Sequence, residues 1–203
     1  EARPVTLPVL PKTERMLLMT AHRRENLGPP LSRACQAVAE LLRINRDLCV
    51  VFPVHPNPQI RTIVAEKLGS IDRVQLIEPV GYPQFVALMK ASQLILSDSG
   101  GVQEEAPALG RPVLVLRDRT ERPEAVEQGS CRLVGTDPER ILTEALNLLD
   151  AATPSLPPIS PYGDGHASDR IYRHLLDHFG LSVDHLDGQS PPLELARSST
   201  LVA

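Results

Sequence analysis

The side chains able to do chemistry in this sequence gather in four polar segments, each directly behind an apolar run. They are His22-Arg23-Arg24-Glu25-Asn26, His55-Pro56-Asn57, Asp98-Ser99-Gly100-Gly101 and Arg117-Asp118-Arg119-Thr120-Glu121-Arg122. The sharpest signal is residues 94–105, LILSDSGGVQEE, where an apolar run enters a Ser-Gly-Gly turn and then a helical pattern. Without Cβ atoms, Gly100 and Gly101 let a ligand approach the backbone closely. Free N–H groups and the positive dipole end at a helix start favour an anion there. Ser99 adds a hydroxyl. One turn on, Glu104 or Glu105 can lean back toward the same opening, because helical side chains point N-terminally. A carboxylate beside a phosphate site suits a ribose hydroxyl. The combination reads as a nucleoside diphosphate site, against a plainer alternative in which the glycine turn only starts a helix. Neither G-x-G-x-x-G nor G-x-x-x-x-G-K-[ST] occurs. Ser97 stands where a G-x-S-x-G nucleophile turn needs glycine.

The elements that must position these segments alternate. Arg15–Thr20, Leu48–Val54, Val74–Ile77, Leu94–Ser97, Val113–Leu116 and Arg132–Val134 read as strands. Between them, helices are expected over residues 31–42 from apolar positions 31, 34, 35, 38, 41 and 42, and over Gln59–Leu68, Tyr82–Ala91, from about Val102, and over Glu139–Leu149. Pro107 should kink or end the fourth of these. The strands are apolar throughout rather than alternating, which indicates a parallel sheet covered on both faces. The fold class expected is therefore α/β, a Rossmann-like parallel sheet with helices on both faces over residues 15–150. Residues 1–14 read as a linker or incoming strand. Residues 151–180 read as a Pro-rich loop followed by a helix over Ser168–Phe179, and 181–203 as a disordered tail. In such sheets ligands sit outside the carboxyl ends of the strands, where the four polar segments fall.

Composition narrows the classes. Hydrophobic residues make up 42% and charged residues 23%, so wholesale disorder is excluded. A formal charge of −4 argues against a generic nucleic-acid binder. Three Tyr, three Phe and no Trp argue against a base-stacking platform. No apolar run is long enough to span a bilayer, and no signal-peptide core precedes the first strand. The first residue is Glu, not Met, which suggests a piece of a longer chain. Cys35, Cys49 and Cys131 form no C-x-x-C, a pattern that fits reduced thiols in a cytoplasmic protein. His174 and His178 lie i, i+4 and could hold a metal with Asp177 or His185, but a solvated helix face is the expectation, with neither metal nor cofactor. Asp98 reads as a cap for the helix that follows. Arg117, Arg119 and Arg122 alternate with acids and read equally well as a salt-bridged loop.

Five motifs in order carry a family resemblance: Thr20-Ala-His-Arg-Arg-Glu-Asn26, Pro53-Val-His-Pro-Asn57, residues 97–107, Arg117–Ala125 and Pro161-Tyr-Gly-Asp-Gly165. Together, over about residues 13–180, they resemble the C-terminal half of the non-hydrolysing UDP-N-acetylglucosamine 2-epimerases. The resemblance implies one half of a GT-B type two-domain fold, with the active site between two Rossmann-like halves. It places His22 and Arg122 on the pyrophosphate side, where they would stabilise the leaving group. It makes Ser99, Gly100 and Gly101 the phosphate cradle and Glu105 the ribose carboxylate. Phe85 would lie at the uracil, with Val80 contributing backbone. Arg23 and His55 would line a site for a second UDP-N-acetylglucosamine acting as activator.

The intact enzyme so implied is a cytoplasmic homodimer serving cell-envelope polysaccharide synthesis. It interconverts UDP-N-acetylglucosamine and UDP-N-acetylmannosamine by eliminating and re-adding UDP, with no cofactor, nucleic acid or membrane involved. Two departures stand out. Ala151–Ser160 is shorter and richer in proline than the family's corresponding stretch. No residue here matches the family's carboxylates for proton transfer at sugar C2, which belong to the absent N-terminal domain. The alternatives are the nucleotide-binding half of a GT-B glycosyltransferase and a stand-alone UDP-sugar-binding module without turnover.

Overall fold

The computed structural model describes residues 15–150 and 157–180. The expected linker at 1–14, residues 151–156 of the Pro-rich segment, His185 and the expected tail at 181–203 lie outside the described residues. Six strands form one sheet: β1 (Arg15–Thr20), β2 (Leu48–Pro53), β3 (Val74–Ile77), β4 (Leu94–Ser97), β5 (Val113–Val115) and β6 (Cys131–Leu133). Every neighbouring pair is parallel, and the order is β3-β2-β1-β4-β5-β6. The helices are α1 (Pro29–Ile44), α2 (Pro58–Leu68), α3 (Tyr82–Ala91), α4 (Gly100–Glu105), α5 (Pro123–Glu127), α6 (Pro138–Leu149) and α7 (Ala167–His178).

The uniformly apolar strands are explained by the two layers they feed. Leu17 and Met19 of β1 pack into a core with α1, α2 and α6, while Met16 and Leu18 pack into a second core with α3, α4 and α5. Each leucine that α1 buries here, such as Leu41 at 1% exposure, contributes about 1.5–3 kcal/mol by leaving water. Local chemistry places the helix ends. Asn57 Oδ1 accepts from Gln59 N at 2.9 Å to open α2, and Asp137 Oδ1 accepts from Arg140 N at 2.8 Å to open α6. Arg73 closes α1 by donating to the Leu42, Asn45 and Leu48 carbonyls at 2.5, 2.7 and 2.7 Å.

Several expected boundaries move. β2 stops at Pro53, one residue early, although Val54 N still bonds to Ile77 O at 2.9 Å. β6 begins one residue early, at Cys131. α4 starts at Gly100 rather than Val102, and Pro107 ends it by opening a 3-10 turn over Pro107–Leu109. A 3-10 turn at Arg24–Asn26 and the whole of α5 fall inside segments that read as loops. Neither is long enough to display a helical period, though Pro123 at the first position of α5 is a recognised start signal.

The chain divides into a first compact unit ending at Tyr162 and a second beginning at Gly163. Residues 157–162 belong to the first, where Ile159 N donates to Pro107 O at 3.0 Å. In the second unit, Asp164 accepts two bonds from Arg170, at 2.7 and 2.5 Å, and α7 leaves Ile171, Tyr172 and Leu175 exposed. No helix among the described residues is long and apolar enough to cross a membrane. Cys35, Cys49 and Cys131 are buried free thiols; burial pushes Cys35 and Cys131 up to about 12. Thiols held protonated in this way are packing residues rather than nucleophiles.

Candidate functional site

The strand order reverses between β1 and β4, so the chain leaves these two neighbours toward opposite faces of the sheet. That divergence opens a crevice at their carboxyl ends, the place where doubly wound sheets take ligands. The segments behind β1 and β4 are His22–Asn26 and Asp98–Gly101.

Asp98, fully buried, joins the two segments. Its carboxylate accepts from His22 N at 3.0 Å, Arg23 N at 2.9 Å and Asn26 Nδ2 at 3.0 Å, and lies 3.3 Å from His22 Nδ1. Its backbone carbonyl accepts from Arg23 Nε at 2.9 Å. Asp98 therefore does not cap α4, contrary to expectation. Ser99 occupies the N-cap position and makes no side-chain cap bond either. Three donors from one loop outweigh a single capping N–H, and they turn the carboxylate toward β1.

The glycine turn is covered by a cation. A Cβ on Gly100 would sit 2.7–2.9 Å from the guanidinium atoms of Arg122, so only glycine lets that side chain lie so close to the start of α4. Arg122 Nε is in contact with Glu104, and Nη1 lies 2.7 Å from Glu121 Oε1. Glu121 also holds Arg117 Nη1 at 2.7 Å and Arg23 Nη2 at 3.5 Å. Hydrogen bonding to its backbone, then to Arg117, pushes the Glu121 carboxyl down to about 2. Arg117 Nε lies 3.2 Å from Glu25 Oε1, at ion-pair distance but without hydrogen-bond alignment. The loop from Arg117 to Arg122 is thus salt-bridged, and it also presents Arg122 to the turn.

At the start of α3, the neighbouring Glu105 carboxylate pushes the Tyr82 phenol up from its ordinary value. Val80 and Phe85 are partly buried against the second core, flanking this tyrosine. On the other side, the rings of His22 and His55 stack with centroids 6.0 Å apart and planes 17° apart. Arg117 and Arg119 line a cavity of about 480 Å³ with Glu25, Arg33, Asp118 and Thr136. None of Ser99, Gly100, Gly101 or Arg122 lines it. The candidate site is placed at the turn because bare backbone and a cation converge there, whereas the cavity's arginines largely answer neighbouring acids and Thr136.

These features fit a family model. Residues 4–176 match the model described as UDP-N-acetylglucosamine 2-epimerase. The chain belongs to the UDP-N-acetylglucosamine 2-epimerase family. The Bacillus subtilis UDP-N-acetylglucosamine 2-epimerase is 48% identical over 185 residues, 89% of this chain and 49% of that protein. The S. aureus MnaA–UDP co-structure superposes with a TM-score of 0.79 at 44% identity, covering 83% of this chain and 47% of that one. The Neisseria meningitidis UDP-GlcNAc 2-epimerase bound to UDP-GlcNAc superposes at 0.77 and 44% identity, covering 80% and 45%. The chain thus spans about half the length of the epimerases it matches.

In this chain, the expected site residues lie in the segments that follow the strands. Ser99, Gly100, Gly101 and Arg122 form one group, and Glu105 with Val80 and Phe85 lies along α3 and α4. His22, Arg23 and His55 stand behind β1 and β2. The activator residues implied by resemblance are continuous with the substrate residues: His55 stacks on His22, and Arg23 shares Glu121 with Arg122. Gln103 and Tyr162 had no role assigned from sequence. Gln103 is fully buried and bonds Ser99 O and Thr120. Tyr162 donates to Arg122 O at 3.2 Å and accepts from Ala125 N at 3.3 Å. The available signal for Gln103 was its place inside the residues 97–107 motif, one turn after Ser99. Tyr162 stands in the Pro161–Gly165 motif, but at 40 residues from Arg122 in sequence nothing local tied it to that residue. Among the described residues no three His, Cys, Asp or Glu side chains gather as a metal site, and His178 instead packs edge-on against Phe179.

Proposed function

We propose that this chain is the UDP-binding half of an enzyme that interconverts UDP-N-acetylglucosamine and UDP-N-acetylmannosamine. The observation that carries the proposal is the Arg122 guanidinium lying over Gly100 at the start of α4. Relatives solved with UDP and with UDP-GlcNAc support the ligand. Cleaving the sugar C1–O bond leaves negative charge on the β-phosphate of UDP. Donors fixed in advance where that charge develops lower the barrier by several kcal/mol. Ser99, Gly100 and Gly101 supply backbone at this point, Arg122 supplies charge, and His22, backed by Asp98, supplies a ring N–H. Glu105 accepts from the ribose, with Phe85 and Val80 at the uracil. Arg23 and His55 line an adjoining activator subsite.

A second domain completes the sugar side and brings the acids that move the C2 proton. The exposed apolar face of α7 suits such a partner, and the intact protein works as a homodimer. Three buried free thiols support a reducing, cytoplasmic setting.

Calorimetry on the 203-residue chain tests the ligand assignment. UDP should bind better than UMP or free N-acetylglucosamine, and Gly100→Ala should erase the margin of UDP over UMP while leaving the melting temperature within about 2 °C, since alanine suits a helix and only the flexible end of Arg122 is displaced. Equal binding of UDP and UMP by the unmodified chain overturns the diphosphate assignment.

A further inference from the structure

We propose that Gln103 and Thr120 are positioning residues that fix Arg122 relative to the glycine turn, and so set how strongly the site holds a β-phosphate. The inference rests on the UDP reading above and deepens it. A continuous relay of hydrogen bonds joins the two anion-facing elements. Arg122 N donates to Thr120 Oγ1 at 3.1 Å, Thr120 Oγ1 donates to Gln103 Oε1 at 2.6 Å, and Gln103 Nε2 donates to Ser99 O at 3.1 Å.

The direction of this relay is forced by chemistry. A backbone carbonyl can only accept, so the atom of Gln103 facing Ser99 must be the amide nitrogen. Its oxygen then faces Thr120 and must receive the hydroxyl hydrogen. A backbone N–H can only donate, so the remaining lone pair of Thr120 is what Arg122 meets. No member can reverse its role without breaking both neighbours. Gln103 is wholly buried, so a broken link leaves a polar group without water to replace it. Tyr162 grips the other side of the same residue by donating to Arg122 O at 3.2 Å. The backbone of Arg122 is thereby held from two directions, and its guanidinium is carried to the position over Gly100. The ion pairs to Glu104 and Glu121 alone would not do this, because both acids are about half exposed and such pairs hold a side chain loosely.

The test compares UDP with UMP, whose affinity ratio isolates the β-phosphate. Thr120→Val keeps the shape of a half-buried side chain and removes the hydroxyl. It should cut the UDP:UMP ratio about tenfold, the scale of one hydrogen bond with a charged group behind it, while UMP affinity stays within about twofold. Thr120→Ser should restore the ratio. Gln103→Met, read in the same way, breaks the relay at a second point and should lower the ratio again. In an Arg122→Ala background, Thr120→Val should change nothing further, since its effect passes through Arg122. If the unmodified chain prefers UDP while Thr120→Val and Gln103→Met keep its full ratio, the relay has no positioning role. If Thr120→Val still lowers the ratio without Arg122, the hydroxyl acts elsewhere and the proposal fails. An unmodified chain that does not distinguish UDP from UMP overturns the site reading itself.

Discussion

Glu104 and Glu105 are adjacent, equally charged and one turn into the same helix, yet the structure gives them different work. Glu104 faces Arg122 and neutralises it, while Glu105 turns toward Tyr82 at the start of α3. Spacing alone could not separate them, because both carboxylates lean toward the helix start. The resemblance implies Glu105 as the ribose carboxylate, and we propose that the two acids divide the phosphate and ribose sides. Glu105→Gln should weaken UDP binding by about tenfold, the scale of a charge-assisted hydrogen bond. Glu104→Gln should leave it unchanged or tighten it by about twofold, since an exposed carboxylate that competes for Arg122 is worth little. Titration calorimetry of the two variants reads the order directly, and the reverse order would reassign the ribose carboxylate to Glu104. The single residues that could be read from sequence were those whose chemistry is local: a glycine turn, a cation, an acid one turn on. The stacking of His22 on His55 and the hold of Tyr162 on Arg122 depend on which strands are neighbours, and no local pattern carries that information.

The loop behind β1 has no regular structure beyond one 3-10 turn, so its shape must come from another element, and Asp98 behind β4 supplies it. The part-buried N–H groups of His22 and Arg23 would otherwise lose this acceptor, a cost comparable to lost hydrogen bonds. Asp98→Asn replaces one accepting oxygen with a donor facing those N–H groups. It should destabilise the first unit by about 3 kcal/mol, more than the roughly 1 kcal/mol of a lost helix cap. Urea unfolding measures the difference, and a loss near the smaller value would return Asp98 to a capping role. The alternation of apolar runs with helical spacing identified all six strands, because burial on both faces keeps the central ones apolar, while the edge strands β3 and β6 still carry Gln75 and an exposed Arg132. It missed α5, whose five residues are too few for a period to show, and placed the start of α4 two residues late because glycines carry no hydrophobic signal. The order of strands was not legible either. It follows from right-handed crossovers and from which helix faces are apolar, so it emerges only when the layers are assembled.

At the scale of the whole molecule, the proposed function turns on what this chain does not offer to sugar C2. Epimerisation there needs one group to take a proton and another to return it from the opposite face, each within hydrogen-bond reach of the carbon. Two acids beside the crevice are otherwise committed. Asp98 is fully buried and accepts from His22 N, Arg23 N and Asn26, and Glu25 lies against Arg117. Glu104 and Glu121 are engaged with Arg122, and Glu105 is the carboxylate proposed for the ribose. The chain spans about half the length of the epimerases it matches, and the proposed function assigns the C2 acids and the exclusion of water from the sugar to a second domain. An open half-site also keeps its charges hydrated, which weakens the stabilisation of a departing phosphate. The 203-residue chain should therefore bind UDP yet incorporate no deuterium at C2 of UDP-N-acetylglucosamine in heavy water. Adding a separately prepared N-terminal half from a related epimerase should restore exchange if the two halves dock, and Arg122→Ala should then slow it by about 100-fold, the scale for removing one donor from a charge-stabilising site. Nuclear magnetic resonance of the C2 position follows both experiments. Steady exchange by this chain alone, abolished by Ser99→Pro, would mean that the proton-transfer acids lie within these residues and that the division of labour between the two halves is wrong.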